Sequence, residues 1–306
     1  MATAQQPPDT RRGTSDSLLS PDFLRRLERL ELVTRKALIG RMKGERRSRR
    51  RGQSVEFADY RDYTPGDDLR FLDWNIYGRL DRLFIKLFVE EEDLHFHILI
   101  DASKSMDFGT PTKLRFATQI AAALGFVGLI GQDRVVVHLL GEGITRSSRP
   151  LRGRRSFIEL LEFLERVEPE AEGDLHRSLR QFALTYRIPG IALVLSDFLD
   201  KQGYEPALRY LAASPMEVHV VQVLAREELD PPLLGDLRLI DCEDGEELPV
   251  TISAPLLQRY RQRLRAFCGG IERWCLAREM SYMLATSDAD VESVVFDHFR
   301  RIGLVK

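Results

Sequence analysis

The chain has 306 residues, of which 43% are hydrophobic and 30% are charged, and its formal net charge is −2. These values are typical of a globular protein with one large core or two smaller ones. They exclude a chain whose overall charge would attract it to nucleic acid or membranes, and no apolar run approaches the roughly 20 residues of a membrane-spanning helix.

Three cysteines, Cys242, Cys268 and Cys275, form no Cys-x-x-Cys pair. If the last two share a helix, the rise between them is about 10 Å, which is too far for a disulfide. Free thiols and the lack of a signal peptide predict a reducing, cytoplasmic location.

The first 92 residues divide into segments of different composition. Residues 1–20 are rich in Pro, Thr, Ser, Gln and Asp, so we expect a disordered tail. Within the next segment, 21–92, apolar spacing predicts a helix over Pro21 to Met42, and a basic run, Arg41 to Arg51, follows it. Turn signals then break up apolar and aromatic residues, which predicts a small β-rich subdomain ending in a strand over Leu83 to Val89.

Residues 93–306 alternate apolar strands with helical patterns. This alternation predicts an α/β fold, a doubly wound, mostly parallel sheet with helices on both faces. The predicted strands are His95–Asp101, Arg134–Leu140, Gly143–Ser147, Ile191–Asp197, Val218–Leu224, Arg238–Cys242, Leu248–Ile252 and Tyr282–Thr286. The predicted helices are Lys113–Ile130, Phe157–Arg166, Leu175–Tyr186, Glu205–Ala213, Pro255–Glu279 and Val291–Ile302. Glycines at 141 and 245 predict two hairpins, the second at the edge of the sheet.

The strongest site signal lies where an apolar strand ends in Asp101-Ala-Ser103-Lys-Ser105. Carboxylate and hydroxyl oxygens are hard ligands that suit Mg²⁺. A second apolar strand ends in Ser196-Asp197, and distant strand ends meet at one crevice of a doubly wound sheet. A shared cation would remove the repulsion between the two carboxylates. We favour this shared site over the alternative that Asp197 only caps a helix or turn.

The pattern Asp101-x-Ser103-x-Ser105 with a later Ser-Asp197 resembles the metal-ion-dependent adhesion site (MIDAS) of von Willebrand factor A-like domains. The preceding segment resembles the signature of the bacterial domain-of-unknown-function family 58. The two regions together cover about residues 40–300. The residues that carry the second resemblance are Gly52-Gln-Ser-Val-Glu-Phe57, Arg61-Asp-Tyr-Thr-Pro-Gly-Asp-Asp68, Arg70-Phe-Leu-Asp-Trp74, Arg79 and Lys86.

The resemblance implies roles for individual residues. Ser103 and Ser105 would bind Mg²⁺, or another divalent cation, directly, and Asp101 and Asp197 would act through water. The family's further ligand, a Thr, corresponds to Gly173, which has no ligand atom. Asp174 is therefore a further metal-ligand candidate.

Two other groups of residues have a structural and a functional interpretation. His95 and His97 fall on one face of a strand, and we expect packing or hydrogen bonding rather than metal binding. The second group is an acidic cluster with basic neighbours, which consists of Asp67, Asp68, Asp73, Arg61, Arg70, Arg79 and Lys86. For this cluster we favour a network of ion pairs and turns over a second ligand site.

No catalytic set is recognisable, since the sequence lacks G-x-x-x-x-G-K-[ST], G-x-G-x-x-G and G-x-S-x-G. The resemblance implies a metal-dependent protein-binding adaptor or co-chaperone that works with a MoxR-type AAA+ ATPase on protein clients. An alternative is a metal-assisted hydrolase of phosphoesters or peptides, with Mg²⁺ held by Asp101 and Asp197. The least favoured hypothesis is attachment to nucleic acid or a membrane surface through Arg46 to Arg51.

Overall fold

The computed structural model describes residues 18–33, 55–90, 94–170, 173–200, 202–232, 235–240 and 247–306. The basic run Arg41 to Arg51, most of the predicted tail and Cys242 lie outside these ranges. Within them, Cys268 and Cys275 are free and buried, as predicted.

The first helix, α1 (Pro21–Leu27), begins where the Ser20 hydroxyl accepts a hydrogen bond from the Phe23 amide. It ends at Leu27, so the predicted extension of this helix is wrong over residues 28–33. Tertiary pairing is the reason. The Val33 amide donates to the Leu304 carbonyl at 2.9 Å, and other backbone bonds join this segment to the last residues of the chain.

Residues 55–90 form an antiparallel pair, β1 (Val55–Asp62) and β2 (Phe84–Glu90), with α2 (Trp74–Leu80) between the strands. Asp73 caps α2 and accepts hydrogen bonds from Tyr60 and Lys86. The other acids of the cluster are also paired, which confirms the ion-pair network. These pairs are Arg61 with Asp67 at 2.8 Å and Arg70 with Asp68 at 2.6 Å.

The centre of the molecule is a six-stranded sheet. Its strands are β3 (His95–Asp101), β4 (Arg134–Gly141), β5 (Gly143–Ser147), β6 (Gly190–Ser196), β7 (Glu217–Leu224) and β10 (Ser281–Thr286). They lie in the order β10-β7-β6-β3-β4-β5, and all neighbouring pairs are parallel except β4 with β5. This sheet confirms the predicted fold class.

Helices cover both faces of the sheet. They are α3 (Lys113–Ile130), α4 (Phe157–Glu165), α5 (Leu175–Thr185), α6 (Tyr204–Ala212), α7 (Arg226–Leu229), α8 (Ala254–Leu276) and α9 (Val291–Ser293), which continues as a π-helix over Val294–Phe299. One core contains residues of α1, α3, α4 and the C-terminal helix, and a second contains residues of α5, α6 and α8. The helices therefore form two layers around the strands, as a doubly wound sheet requires.

Helix α3 has the length and hydropathy of a membrane-crossing helix, although no such helix was predicted from the sequence. However, 83% of this stretch is buried inside the fold, and its side chains form much of the first core.

One sheet prediction is wrong. The hairpin of β8 (Gly235–Ile240) and β9 (Glu247–Ile252) is a separate two-stranded sheet rather than an edge of the main sheet. The neighbouring α8 runs without interruption through Gly269 and Gly270.

His97 is buried, and its Nδ1 lies 3.0 Å from Nε2 of His138 on β4, which confirms the packed interpretation for this histidine. Burial, with a smaller effect of the neighbouring histidine, lowers the pKa of His97 to about 4 and that of His138 to about 3. Both rings are therefore neutral in the folded protein near pH 5.

This pair is expected to make the fold sensitive to acid. Below a pH of about 6.5 the unfolded chain binds protons that the folded histidines reject, so stability falls as the pH drops towards 4. Each ring contributes up to about 3 kcal/mol to this loss. Urea unfolding at pH 7 and pH 5 should show a smaller loss for His97→Gln/His138→Gln than for the wild type. The partly exposed His176 of α5 supplies the control, His176→Gln. Equal losses in all three proteins would contradict the prediction.

Candidate metal centre

The candidate site lies where the order of the sheet reverses. The chain continues from β3 to β4 on one side and from β6 to β7 on the other, so the loops after β3 and β6 diverge and leave a crevice. Asp101 is the last residue of β3, and Asp197 directly follows β6. Both acids therefore reach the switch point of the sheet.

The crevice is a cleft of about 200 Å³ that contains four of the five predicted ligands. Its lining residues are Asp101, Ser103, Ser105, Gly173, Leu175, Ser196, Asp197, Phe198, Leu199, Asp200 and Gln202. Asp174 is not among them. Its carboxylate accepts a hydrogen bond from the Arg177 amide at 2.7 Å and caps α5.

Asp101 is buried and held by donors on both of its oxygens. Oδ1 accepts from the Ser103 amide at 3.0 Å, and Oδ2 accepts from the Ser196 hydroxyl at 2.5 Å. Burial, followed by the charge of Asp197, raises the pKa of Asp101 to about 6. This carboxylate is therefore fixed in place and carries its charge at an energetic cost near neutral pH.

Asp197 is held in the same way. Oδ1 accepts from the Leu199 amide at 3.0 Å, and Oδ2 accepts from the Lys113 ammonium at 2.7 Å. Lys113 also donates to Glu228 at 2.6 Å. Burial lowers the pKa of Lys113, but the two carboxylates outweigh it and the net shift is upwards. Burial raises the pKa of Glu228 in spite of the ammonium beside it.

The donor set fits a hard divalent cation. The Ser103 and Ser105 hydroxyl oxygens lie 3.1 Å apart, and each of the four carboxylate oxygens already accepts a hydrogen bond. Among the described residues, no three His, Cys, Asp or Glu side chains form a metal-binding group. A cation in the cleft would therefore depend on serine hydroxyls and water together with the two carboxylates.

Close packing against Ser103 favours glycine at position 173, where the family has a threonine ligand. A Cβ atom on Gly173 would lie 2.5 Å from Cβ of Ser103, so a larger residue could fit only if the serine moved. The loop that carries Gly173 packs directly on the loop that carries the hydroxyls.

Gly173→Ala is expected to weaken cation binding about tenfold or more, because it displaces the Ser103 hydroxyl, and to destabilise the fold by about 1–3 kcal/mol. Calorimetric titration with Mn²⁺ and urea unfolding measure the two effects. Gly269→Ala is a suitable control, because a Cβ atom at this position would meet open space. Gly66→Ala is not suitable, because Gly66 has a φ of 110°. Wild-type Mn²⁺ affinity in Gly173→Ala would contradict the packing argument.

Three further residues of this region, Lys113, Ser196 and Asp200, were not among the ligands predicted from the sequence. Asp200 lines the cleft and accepts a hydrogen bond from the Leu175 amide at 3.2 Å. Lys113 did leave a signal. It is the first residue of α3, where a cation opposes the helix dipole and is therefore unusual.

Residues 59–266 match a family model described as "Protein of unknown function DUF58". The chain belongs to this family. The predicted resemblance to the family is thereby confirmed. An uncharacterised protein of Mycobacterium tuberculosis is 28% identical to this DUF58 chain over 273 residues, which is 87% of this chain and 84% of the relative. An uncharacterised protein of Mycobacterium avium is 28% identical over 133 residues, which is 43% of this chain and 78% of the relative.

Several solved structures are similar to this DUF58 chain. BatB of Bacteroides thetaiotaomicron is 13% identical with a TM-score of 0.42, covering 68% of this chain and 98% of that one. An aerotolerance-related membrane protein of Bacteroides fragilis is 16% identical with a TM-score of 0.43, covering 66% and 94%. The SpRpn10 VWA domain is 13% identical with a TM-score of 0.36, covering 68% and 95%. The cytoplasmic location of this chain stays a prediction.

Proposed function

We propose that this DUF58 protein is a metal-dependent protein-binding adaptor that works in the cytoplasm with a MoxR-type AAA+ ATPase, in the assembly or activation of client complexes. The observation that carries the proposal is the convergence of Asp101, Ser103, Ser105 and Asp197 on one cleft at the sheet's switch point. The partner and the cation, Mg²⁺, come from the family resemblance and are part of the proposal.

Different side chains of the cleft would bind the cation and the partner. The Ser103 and Ser105 hydroxyls would hold the cation directly, and Asp101 and Asp197 would orient its water molecules. When bound, the cation supplies an open coordination position that an acidic side chain of a partner completes. Leu199, 43% exposed at the cleft, offers apolar contact to the same partner segment.

The cleft favours binding over hydrolysis. Among the described residues that line it there is no histidine or cysteine, and the Ser103 hydroxyl is paired with Ser105 rather than with a base. Lys113 is engaged by two carboxylates, so it is not a free general base. The hydrolase alternative therefore gains no support from this geometry.

The test is binding of the purified chain to a MoxR-type ATPase from the same organism, in Mg²⁺ and in EDTA. We expect affinity to fall at least about tenfold in EDTA and in Ser103→Ala/Ser105→Ala, and the variant should no longer respond to Mg²⁺. Because such an ATPase needs Mg²⁺ itself, the serine variant isolates the contribution of this chain. Ser253→Ala, an exposed serine without a side-chain capping bond, is the control. Unchanged affinity in the double variant would overturn the metal bridge.

A further inference from the structure

A buried ammonium group lies directly behind the cleft. Lys113 is 0% exposed, and its Nζ contacts Asp197 and Glu228 at 2.7 and 2.6 Å. It is not among the residues that line the cleft. A cation in the cleft would therefore approach the Asp197 carboxylate from the cleft side, while the Lys113 ammonium contacts the carboxylate from the protein interior.

The charges of this cluster do not balance. Asp101, Asp197 and Glu228 supply three carboxylates, and Lys113 supplies one ammonium against them. These four groups have a net charge of −2, and Asp200, which lines the same cleft, adds a further carboxylate. A cation in the cleft would therefore meet net negative charge even in the presence of Lys113. Since Lys113, Asp101 and Asp197 are buried and the Glu228 side chain is only 16% exposed, solvent ions screen the interaction of these groups much less than at the surface.

We propose that Lys113 sets the affinity and the charge preference of the cleft, so that a divalent cation binds reversibly. This inference rests on the cation site of the proposed function and assigns a role to a residue that is not itself a ligand of the cation. Lys113 is a positioning residue. It fixes Asp197 from behind and repels any cation that enters in front.

The repulsion has a measurable signature because it scales with the charge of the incoming ion. Removing the ammonium should tighten binding of a divalent ion and should tighten binding of a trivalent ion more. In logarithmic terms the trivalent gain should be about one and a half times the divalent gain. A purely structural role for Lys113 would predict weaker binding of both ions.

The experiment is calorimetric titration of the full chain with Mn²⁺ and La³⁺ at pH 7.5. We expect Lys113→Met to bind Mn²⁺ at least about tenfold more tightly than the wild type, with the larger gain for La³⁺. Lys104→Met is the matched control. This exposed lysine lies between Ser103 and Ser105 in the loop that follows β3, and solvent screening should keep its effect below about threefold.

Glu228→Gln keeps the proposal testable if Lys113→Met does not fold. It removes a negative charge and leaves the ammonium to Asp197 alone, so Mn²⁺ binding should weaken at least about threefold. Opposite shifts in the two variants support the proposal. A Glu228→Gln variant with wild-type or tighter Mn²⁺ binding overturns it.

The outcomes separate this inference from the proposed function. If the wild type binds Mn²⁺ and folded Lys113→Met binds it no more tightly, the role of Lys113 is overturned and the metal-dependent docking stands. If only Lys113→Met binds Mn²⁺, the role of Lys113 is supported and docking through a metal falls. Absence of binding in both proteins overturns both.

Discussion

Asp101→Asn is expected to abolish Mn²⁺ binding while leaving the metal-free protein at least as stable as the wild type at pH 7.5. The carboxylate is buried, and its pKa is raised from 3.8 to about 6. Keeping it ionised therefore costs the fold about 3 kcal/mol above pH 6. The amide removes this cost, although it also weakens the bonds from Ser103 and Ser196. Calorimetric titration and urea unfolding in EDTA measure the two effects.

The same pKa predicts a pH dependence. Below pH 6 a proton competes with the cation for Asp101, so Mn²⁺ affinity should fall, whereas the metal-free wild type should gain stability from this group between pH 6 and 4. Asp107→Asn, in the exposed part of the same loop, is the matched control and should behave like the wild type. Mn²⁺ binding by Asp101→Asn at wild-type affinity would remove this carboxylate from the site.

Lys113→Met is expected to destabilise the metal-free protein by about 3–5 kcal/mol, because it leaves the buried Asp197 carboxylate without its partner. Asp197 is only 2% exposed, so water in the cleft screens its unpaired charge poorly. Urea unfolding in EDTA measures the loss. Addition of Mn²⁺ should recover part of it, since a ligand that binds only the folded state stabilises that state.

Neutralising the acids as well should rescue this variant. In Lys113→Met/Asp197→Asn/Glu228→Gln both side chains that pair with the ammonium are neutral, and we expect this variant to recover most of the lost stability. The exposed Lys104→Met should stay within about 0.5 kcal/mol of the wild type. A loss below about 1 kcal/mol in Lys113→Met would contradict this prediction, because the other described hydrogen bond to the Asp197 carboxylate comes from the uncharged Leu199 amide.

The parts of the fold that the sequence predicts well are those in which local and tertiary preferences agree. The bounds of β3 and α3 are the predicted ones, because a buried parallel strand and a buried helix each leave a largely apolar run in the sequence. The length of α1 and the place of β8–β9 depend on distant partners. Leu32 bridges Val305, nearly the whole chain away, and helical spacing carries no trace of such a contact.

The candidate site shows the same division. Asp101 and Asp197 could be paired from the sequence because each ends an apolar strand, and the topology of a doubly wound sheet then brings them together. Lys113 and Glu228 have no such rule. They meet across 115 positions of the chain, and only the packing of α3 beside α7 places them together.

The pairing of residues 31–33 with residues 304–306 has a practical consequence. Phe23, Leu27 and Leu30 are buried in the first core, and the Lys306 amide donates to the Glu31 carbonyl at 3.1 Å. A protease site engineered between Val33 and Val55 would thus yield a two-piece molecule that migrates as one species in size-exclusion chromatography and as two on a denaturing gel. A bulky group attached directly to Lys306 would disturb the backbone pairing between residues 31–33 and 304–306, so an affinity tag at this position needs a spacer.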